Sequence, residues 1–310
     1  DYAANFKDFL AERPKDKPFC FWFGAHEAHR GFEFRSGVNN GKKLEDAVVP
    51  RFLPDHETTR HELLDYAIEV EWYDMHLGLM IEALKEAGEL DNTLIVVTAD
   101  NGMAFPRAKA NNYEYGVHMP LIISWPEKVP GNRAVNDPVS LIDLAPTFLE
   151  AAGVEVPKAM SGKSLSAILF SDKSGIVELS REFVLSGRER HAHARKNNLG
   201  YPIRAMHSVQ YTYIRNLKPE RSATGWKHND VDSGPLHSMM LRDMDSKFSL
   251  MAYANRPLEE LYDRHKDPYC LNDLAKNPEF RVVMDKMWQA MKADLTKAGD
   301  PRMLGYGDIW

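Results

Sequence analysis

The protein has 310 residues, of which 44% are hydrophobic and 27% are charged. These are ordinary values for a globular chain, and a chain of this length can bury a sizeable core without disulfide bonds or metal ions. Its longest apolar runs, at 94–99 and 120–126, fall far short of the roughly 20 residues that span a membrane. A net charge of −6 gives no basic excess, so the composition argues against a membrane span, a disordered chain and a nucleic-acid partner.

The two cysteines and the N-terminal residue give less decisive information. Cys20 and Cys270 are too few for a disulfide framework and form no CxxC pair. The sequence leaves open whether they pair with each other. Because Asp1 is not an initiator methionine, we expect that an N-terminal segment has been removed, by processing or by choice of the expressed boundaries.

The first half of the sequence predicts alternating strands and helices, which is the α/β pattern. Apolar residues recur every three to four positions in the longest predicted helix, and the run at 93–98 is rich in β-branched residues, as in a covered parallel sheet. Thr58 or Thr59 is expected to cap the long helix, with Glu62 as the capping-box partner of Thr59. The predicted elements are a buried strand at 19–24, a helix at 58–87, strands at 93–98 and 120–125, and a helix at 143–152.

The second half has a different sequence pattern, which predicts short strands joined by turns. We expect a mostly parallel sheet flanked by helices in residues 1–178, and a smaller α+β subdomain with a short antiparallel sheet in residues 179–310. A polar stretch at 221–248 is predicted to be a long surface loop. The predicted elements are strands at 182–185, 203–209, 211–216 and 258–262, and a closing amphipathic helix at 278–298.

Residues that could carry chemistry follow the predicted strands. Asp100 and Asn101 come directly after the strand at 93–98, where open α/β sheets place their ligands, and their oxygens suit Ca²⁺ or Mg²⁺. The same Asp-Asn-Gly sequence is also common turn chemistry. His26 and His29 follow the strand at 19–24, and either could act as a general acid or pack in a loop.

Two basic segments complete the candidates. Arg107 and Lys109 form a basic loop that could bind an oxyanion or be solvated. The segment 188–195 (RERHAHAR) could hold an anionic sugar or form a solvated edge. The sequence contains no GxGxxG, GxxxxGK[ST], GxSxG or HExxH motif, so dinucleotide, P-loop, serine-hydrolase and zincin chemistry have no support.

Taken in order, these blocks resemble the second half of the type I sulfatases of the alkaline phosphatase superfamily. The segments HEAHR, PRFLPD and DNGMAFPRAK are similar to the N-sulfoglucosamine sulfohydrolase (sulfamidase) branch in particular. The resemblance covers most of the chain, because matching blocks continue through VSLIDLAPTFLEAAGV and SGKSL to RPLEELYDRHKDPYCLNDLAKNP.

The resemblance implies a Ca²⁺ site in which Asp100 and Asn101 are two of the ligands. It implies His29 as the residue near the leaving group and Lys109 as a sulfate contact, although the sulfamidase branch has arginine there and the family usually has proline where Ala28 stands. The remaining positions that the resemblance implies are sugar contacts at Arg188, Glu189 and His191.

One family feature is missing from the sequence. The family nucleophile is a formylglycine made from a Cys/Ser-x-Pro-x-Arg motif, and neither Cys20 nor Cys270 fits that motif. The family's paired aspartates and its Lys/His pair are also missing. The resemblance therefore implies the C-terminal portion of a longer sulfatase, with the N-terminal half as its partner. We expect the chain alone to be inactive and to bind Ca²⁺ weakly or not at all. We also expect an uncovered sheet edge or apolar face to lead to a partner segment, aggregation or self-association.

Several functions remain open at this point. The first is a sulfatase acting on N-sulfated glucosamine of heparin or heparan sulfate. The second is a sulfatase for a 6-O or 2-O ester on another glycan, and the third is a non-catalytic glycan- or anion-binding remnant. A phosphatase or phosphodiesterase of the same fold is a weaker alternative. The family implies a periplasmic or secreted location, or a lysosomal one.

Overall fold

The computed structural model describes residues 1–307, and the chain packs as two compact units. The first unit consists of Asp1–Val97, Leu121–Lys128 and Asp232–Asp243. The second consists of Thr98–Pro120, Val129–Val231 and the chain from Met244 onward. Each unit therefore takes segments from both sides of residue 178, and the sequence division there stays a prediction. The helices are α1 (Tyr2–Glu12), α2 (Ser36–Asn39), α3 (Glu57–Glu86), α4 (Glu114–Val117), α5 (Leu144–Ala151), α6 (Ser166–Leu169), α7 (Pro235–Arg242), α8 (Lys247–Tyr253) and α9 (Arg281–Lys297).

The strands form two sheets. The smaller sheet pairs β1 with β2, and the larger sheet is antiparallel throughout, in the order β3-β4-β5-β6. The predicted mostly parallel sheet is therefore not confirmed, because the described residues supply only two strands outside the antiparallel sheet. The strands are β1 (Ile95–Thr98), β2 (Leu121–Ser124), β3 (Phe183–Arg188), β4 (Ile203–Ser208), β5 (Tyr211–Asn216) and β6 (Glu259–Asp263).

The core of the first unit lies between α1 and α3. Apolar positions spaced three and four apart on each helix meet there, including Phe6 and Leu10 of α1 and Met80 and Leu84 of α3. The long helix α3 begins after His56, whose Nδ1 accepts the Thr58 N–H at 3.1 Å. The prediction that Thr58 or Thr59 caps this helix is therefore wrong, since the helix begins at Glu57 and the capping side chain is the His56 imidazole.

The sequence predicts a buried strand at 19–24, but the structure has no strand there. Among the described residues its backbone joins no sheet. Phe19, Phe21 and Phe23 pack on the α1–α3 core, whereas the alternate side chains are exposed, with Trp22 at 86%. The segment keeps the period-two alternation of a strand. Within residues 1–307, no strand pairs with it to complete its backbone hydrogen bonds.

The second unit is built around the antiparallel sheet. One face packs against the methionines of α9, and the other packs on Tyr113 and Tyr201, both almost fully buried. The predicted strands and the closing helix are confirmed within a few residues. The predicted loop at 221–248 is wrong in part, because it contains α7 and the start of α8. Each of these helices has an N-terminal signal, Pro235 in the first turn of α7 and the Ser246 cap of α8.

Two further findings bear on the whole described chain. The cysteines are free thiols, Cys20 exposed and Cys270 buried. Over residues 1–307, no helix is both long enough and apolar enough to cross a membrane.

Candidate active site

The loop after β1 carries the two predicted metal ligands. Asp100 is exposed, and Asn101 is half-buried with its Nδ2 donating to the Gly102 carbonyl at 2.9 Å. Because the amide nitrogen is used in this way, the amide oxygen is the atom of Asn101 that remains for a cation. Gly102 fixes the turn, since its N–H donates to the Gly116 carbonyl at 3.2 Å and a Cβ there would lie 1.9 Å from the Tyr115 carbonyl oxygen.

The oxygen atoms of this loop are of the type that binds calcium, but there are too few of them for a calcium site. A carboxylate and an amide oxygen are hard ligands of the type Ca²⁺ prefers, and Ca²⁺ takes six to eight of them. In residues 1–307 no group of three or more His, Cys, Asp or Glu side chains could hold a metal ion. The described residues therefore form no complete metal site, and the assignment of Asp100 and Asn101 as ligands stays a prediction.

The loop that carries Lys109 is anchored by the buried Arg107. Arg107 donates to the carbonyls of Met251, at 3.0 Å, and Cys270, and its guanidinium lies 3.9 Å from the centre of the Tyr113 ring. Arg107 is therefore used inside the protein and is not an oxyanion contact. The Lys109 N–H donates to the Met103 carbonyl at 3.0 Å, which closes the loop.

Arg256 anchors the same loop from a second side. Its Nη2 donates to the Asn111 side-chain oxygen at 2.6 Å, and its guanidinium lies 5.0 Å from the Tyr113 ring centre. The Tyr113 hydroxyl in turn donates to Glu260 at 2.8 Å. The ring therefore lies against two cations, an arrangement that electron-rich aromatic faces favour. Arg256 begins the block RPLEELYDRHKDPYCLNDLAKNP that resembles the sulfatases, but the sequence analysis did not single it out as a site residue.

His29 lies in the first unit, in the loop 25–32. Its ring is exposed, and its Nδ1 lies 3.0 Å from the Arg30 carbonyl oxygen. The His29 N–H donates to the His26 carbonyl at 2.9 Å, and the two imidazole rings are 5.5 Å apart. Glu62 of α3, expected as a capping-box residue, instead forms a 2.7 Å ion pair with Arg30. That expectation is therefore wrong.

The predicted sugar contacts lie in the second unit, and each of them has partners there. Arg188 donates to the Ala223 carbonyl at 2.8 Å and lies 3.6 Å from the buried carboxylate of Asp230. Burial lowers the pKa of Arg188 to about 10. The backbone N–H of His191 donates to the same carboxylate at 3.0 Å.

Glu189 is held between two arginines. Its oxygens lie 2.8 Å from Arg204 and 2.7 Å from Arg302. A cavity of about 380 Å³ adjoins this region, and Arg188, Glu189 and Arg204 line it together with small and apolar residues of β3. The structure therefore brings Arg188, Glu189 and His191 together in one unit, in a polar network that includes their protein partners. It brings Asp100, Asn101 and Lys109 together in one loop of that same unit.

These features define a mixed α/β protein. One loop at the end of a strand carries both the oxygen atoms of Asp100 and Asn101 and the basic residue Lys109. Comparison with known proteins shows what the chain is similar to: residues 1–154 match the sulfatase family model. Human N-sulphoglucosamine sulphohydrolase is 27% identical over 290 residues, which are 89% of this chain and 55% of that protein. An N-acetylglucosamine-6-O-sulfatase of Bacteroides thetaiotaomicron is 29% identical over 79% of this chain and 42% of that protein.

Solved structures share the fold of this chain. One from work on the metabolism of multiple glycosaminoglycans by Bacteroides thetaiotaomicron has a TM-score of 0.71 at 19% identity, covering 99% of this chain and 61% of that one. That likeness concerns the fold alone. Another, in complex with its substrate D-glucosamine-2-N,6-O-disulfate, has a TM-score of 0.56 at 25% identity, covering 80% of this chain and 43% of that one. The chain spans about half the length of the curated relatives it matches.

Proposed function

We propose that the protein containing this chain hydrolyses a sulfamate or sulfate ester on a sulfated glycan, with N-sulfoglucosamine of heparin or heparan sulfate as its substrate. One observation carries this proposal above the others. The sulfatase match includes the strand-end loop with Asp100 and Asn101 and the anchored Lys109, and the human relative that acts as an N-sulphoglucosamine sulphohydrolase aligns over 89% of the chain.

The chemistry assigns a separate task to each residue. Cleavage of a sulfamate forms a bond from a nucleophilic oxygen to sulfur and breaks the S–N bond, so the departing nitrogen needs a proton. His29 is the proposed proton donor. Because Nδ1 faces the Arg30 carbonyl, the imidazolium form would donate its Nε2 proton to the departing nitrogen and leave a neutral imidazole with its hydrogen on Nδ1. Lys109 would stabilise the negative charge on the sulfuryl oxygens.

Two groups of the proposed reaction are not supplied by this chain. Asp100 and Asn101 would provide two oxygen ligands to Ca²⁺, which when bound polarises the sulfate oxygens and orients the substrate. A formylglycine outside this chain would supply the nucleophile. Arg188, Glu189 and His191 are the proposed sugar contacts.

The proposed partner of this chain is the N-terminal half of the same sulfatase. Its support is two exposed apolar side chains of the first unit, Trp22 at 86% and Ile122 of β2 at 62%. Segment 19–24 also has the alternation of a strand, yet within residues 1–307 it pairs with no other strand. An unpaired strand of this kind can pair with another segment. We also propose a periplasmic, secreted or lysosomal location, and one relative, 38% identical over 130 residues, is an extracellular sulfatase homologue of Drosophila melanogaster.

The test is sulfate release by the full-length protein from N-sulfoglucosamine. We expect His29→Ala to lower kcat by about 10²–10⁴-fold, the usual contribution of a general acid. His26→Ala is the matched control, because His26 is exposed in the same loop, and its kcat is expected to change less than about threefold. Unchanged turnover in His29→Ala would show that its assigned role is wrong.

A sulfatase for an O-sulfate ester is the second candidate. The N-acetylglucosamine-6-O-sulfatase relative favours it. A panel of monosaccharides that carry a single N-, 6-O- or 2-O-sulfate separates the two candidates by kcat/KM. Mass spectrometry of the full-length protein for formylglycine separates both from a non-catalytic glycan-binding protein, which would contain none.

A further inference from the structure

We propose that Arg30 and Glu62 are a positioning pair that holds the His29 imidazole in the orientation needed for proton donation. The inference rests on the proposed function for the role of His29, but the geometry of the pair does not depend on it. Arg30 follows His29 directly in the chain, and Glu62 lies in the first turns of α3. All of the contacts that carry the proposal lie within the first unit.

The first step is the ion pair itself. Arg30 Nη2 donates to Glu62 Oε2 at 2.7 Å, and the two side chains are only 10% and 1% exposed. The Arg30 guanidinium also lies 4.9 Å from the centre of the Phe32 ring. Breaking a buried and hydrogen-bonded pair of this kind is costly, because removing either partner leaves an uncompensated charge. The pair therefore fixes loop 25–32 to α3.

The second step is the other contact of Glu62. Its Oε1 accepts the Leu236 N–H at 3.2 Å, at the N-terminal end of α7. A Cβ added to Gly234 would lie 2.5 Å from Arg30 Nη1 and 2.8 Å from Glu62 Oε1. Only glycine leaves room for the pair at this point. One carboxylate thus joins three separate segments of the unit.

The third step leads from the pair to the imidazole. The main-chain carbonyl of Arg30 lies 3.0 Å from His29 Nδ1. A carbonyl only accepts, so this contact places the hydrogen on Nδ1 and directs Nε2 away from the loop backbone. The position of that carbonyl is set by the residue whose side chain Glu62 holds. Loss of the ion pair would therefore let the carbonyl move and the imidazole change its tautomer or rotate.

The experiment reads the imidazole directly, by ¹⁵N NMR of the full-length protein labelled in histidine, with His29 assigned from the His29→Gln spectrum. We expect a single Nδ1–H form of neutral His29 in the wild type. Glu62→Gln and Gly234→Ala are expected to give a mixture of both tautomers. Glu57→Gln is the matched control, because Glu57 begins the same helix and forms an exposed 3.4 Å pair with Arg35, and its spectrum should equal the wild type.

Kinetics of the same variants separate this inference from the proposed function. We expect Glu62→Gln to lower kcat about 10- to 100-fold with KM changed less than about threefold, as for a misplaced catalytic group. Arg30→Lys should recover part of the activity that Arg30→Gln loses. A single Nδ1–H form retained in both Glu62→Gln and Gly234→Ala would overturn the positioning role. A mixed spectrum with unchanged kcat would uphold the positioning and overturn the assignment of His29 as the acid.

Discussion

The guanidinium carbon of Arg107 lies 3.9 Å from the centre of the Tyr113 ring, and both side chains are buried. Arg107 also donates to two main-chain carbonyls far away in sequence, those of Met251 and Cys270. Arg107 therefore attaches the loop that carries Lys109 to distant parts of the unit, in addition to the contact of Arg256 with Asn111. The position of this loop depends on the planar guanidinium group of Arg107.

Replacing Arg107 with lysine should loosen this loop. A lysine ammonium is a point charge and does not reproduce the planar fork that contacts the ring and both carbonyls. We expect a loss of about 2 kcal/mol in the free energy of unfolding, typical of hydrogen bonds to a buried charged group. Urea denaturation measures it. The control, Arg281→Lys, changes an exposed residue with ion pairs at the surface and should cost less than about 1 kcal/mol.

Gly102→Ala should disrupt the strand-end loop. The added methyl would lie 1.9 Å from the Tyr115 carbonyl oxygen, a contact that only a shift of the backbone can relieve. We expect activity of the full-length protein to fall at least about tenfold, since a small displacement of reacting groups has a large kinetic effect. Gly131→Ala is the control because a Cβ there meets nothing within 4 Å. Equal activity of the two variants would contradict the prediction.

His207 should make stability depend on pH. Burial lowers its pKa to about 4 from the ordinary 6.5. Its Nε2 lies 2.7 Å from Ser186 Oγ, and its Nδ1 lies 3.2 Å from Thr212 Oγ1. Because the unfolded chain binds the proton more readily, this stability is present above pH 6.5 and is lost as pH falls towards 4.

The measurement for His207 is urea denaturation at pH 7 and pH 5. From the shift in pKa, the group should account for a loss of about 2 kcal/mol between these two values. His207→Gln should be less stable than the wild type at pH 7 but should lose less on acidification. The exposed His118 provides the control, since His118→Gln should retain the wild-type loss. An identical pH dependence of wild type and His207→Gln would refute the assignment.

Asp230→Asn should destabilise the second unit. The carboxylate, which is fully buried, lies 2.7 Å from Arg195 and 3.6 Å from Arg188. Neutralising it leaves two buried guanidinium groups without a counter-charge, which typically costs about 3–5 kcal/mol. Thermal or urea unfolding measures this loss. Asp285→Asn, which removes an exposed carboxylate paired with Arg281, should change the free energy of unfolding by less than about 1 kcal/mol.

The sequence predicted the elements that carry a strong local signal. Helix α3 and strand β5 occur where periodicity and β-branched residues placed them. The failures arise where a distant segment decides the outcome. Segment 19–24 has the composition of a buried strand, but pairing depends on a neighbour that local sequence does not reveal. Glu62 fits a capping box by spacing, yet its partner is 32 residues away in Arg30.

The candidate site divides in the same way. The Asp100-Asn101-Gly102 sequence and the basic character of the loop at 107–109 were visible as short motifs. The sequence did not show that Arg107 is an internal anchor, because its partners are main-chain carbonyls more than 140 residues away. The roles of His29, Lys109, Arg188, Glu189 and His191 stay predictions until the variants are measured.

The place of Asp232–Asp243 in the first unit has a consequence for synthesis on the ribosome. The main-chain amide of Leu236 that Glu62 binds is made long after helix α3 has left the exit tunnel. Until then a carboxylate destined for the interior lacks one of its hydrogen-bond donors, so the nascent unit has to wait for a late segment. Shortened products that end near residue 178 would keep the earlier helices but would never receive that amide.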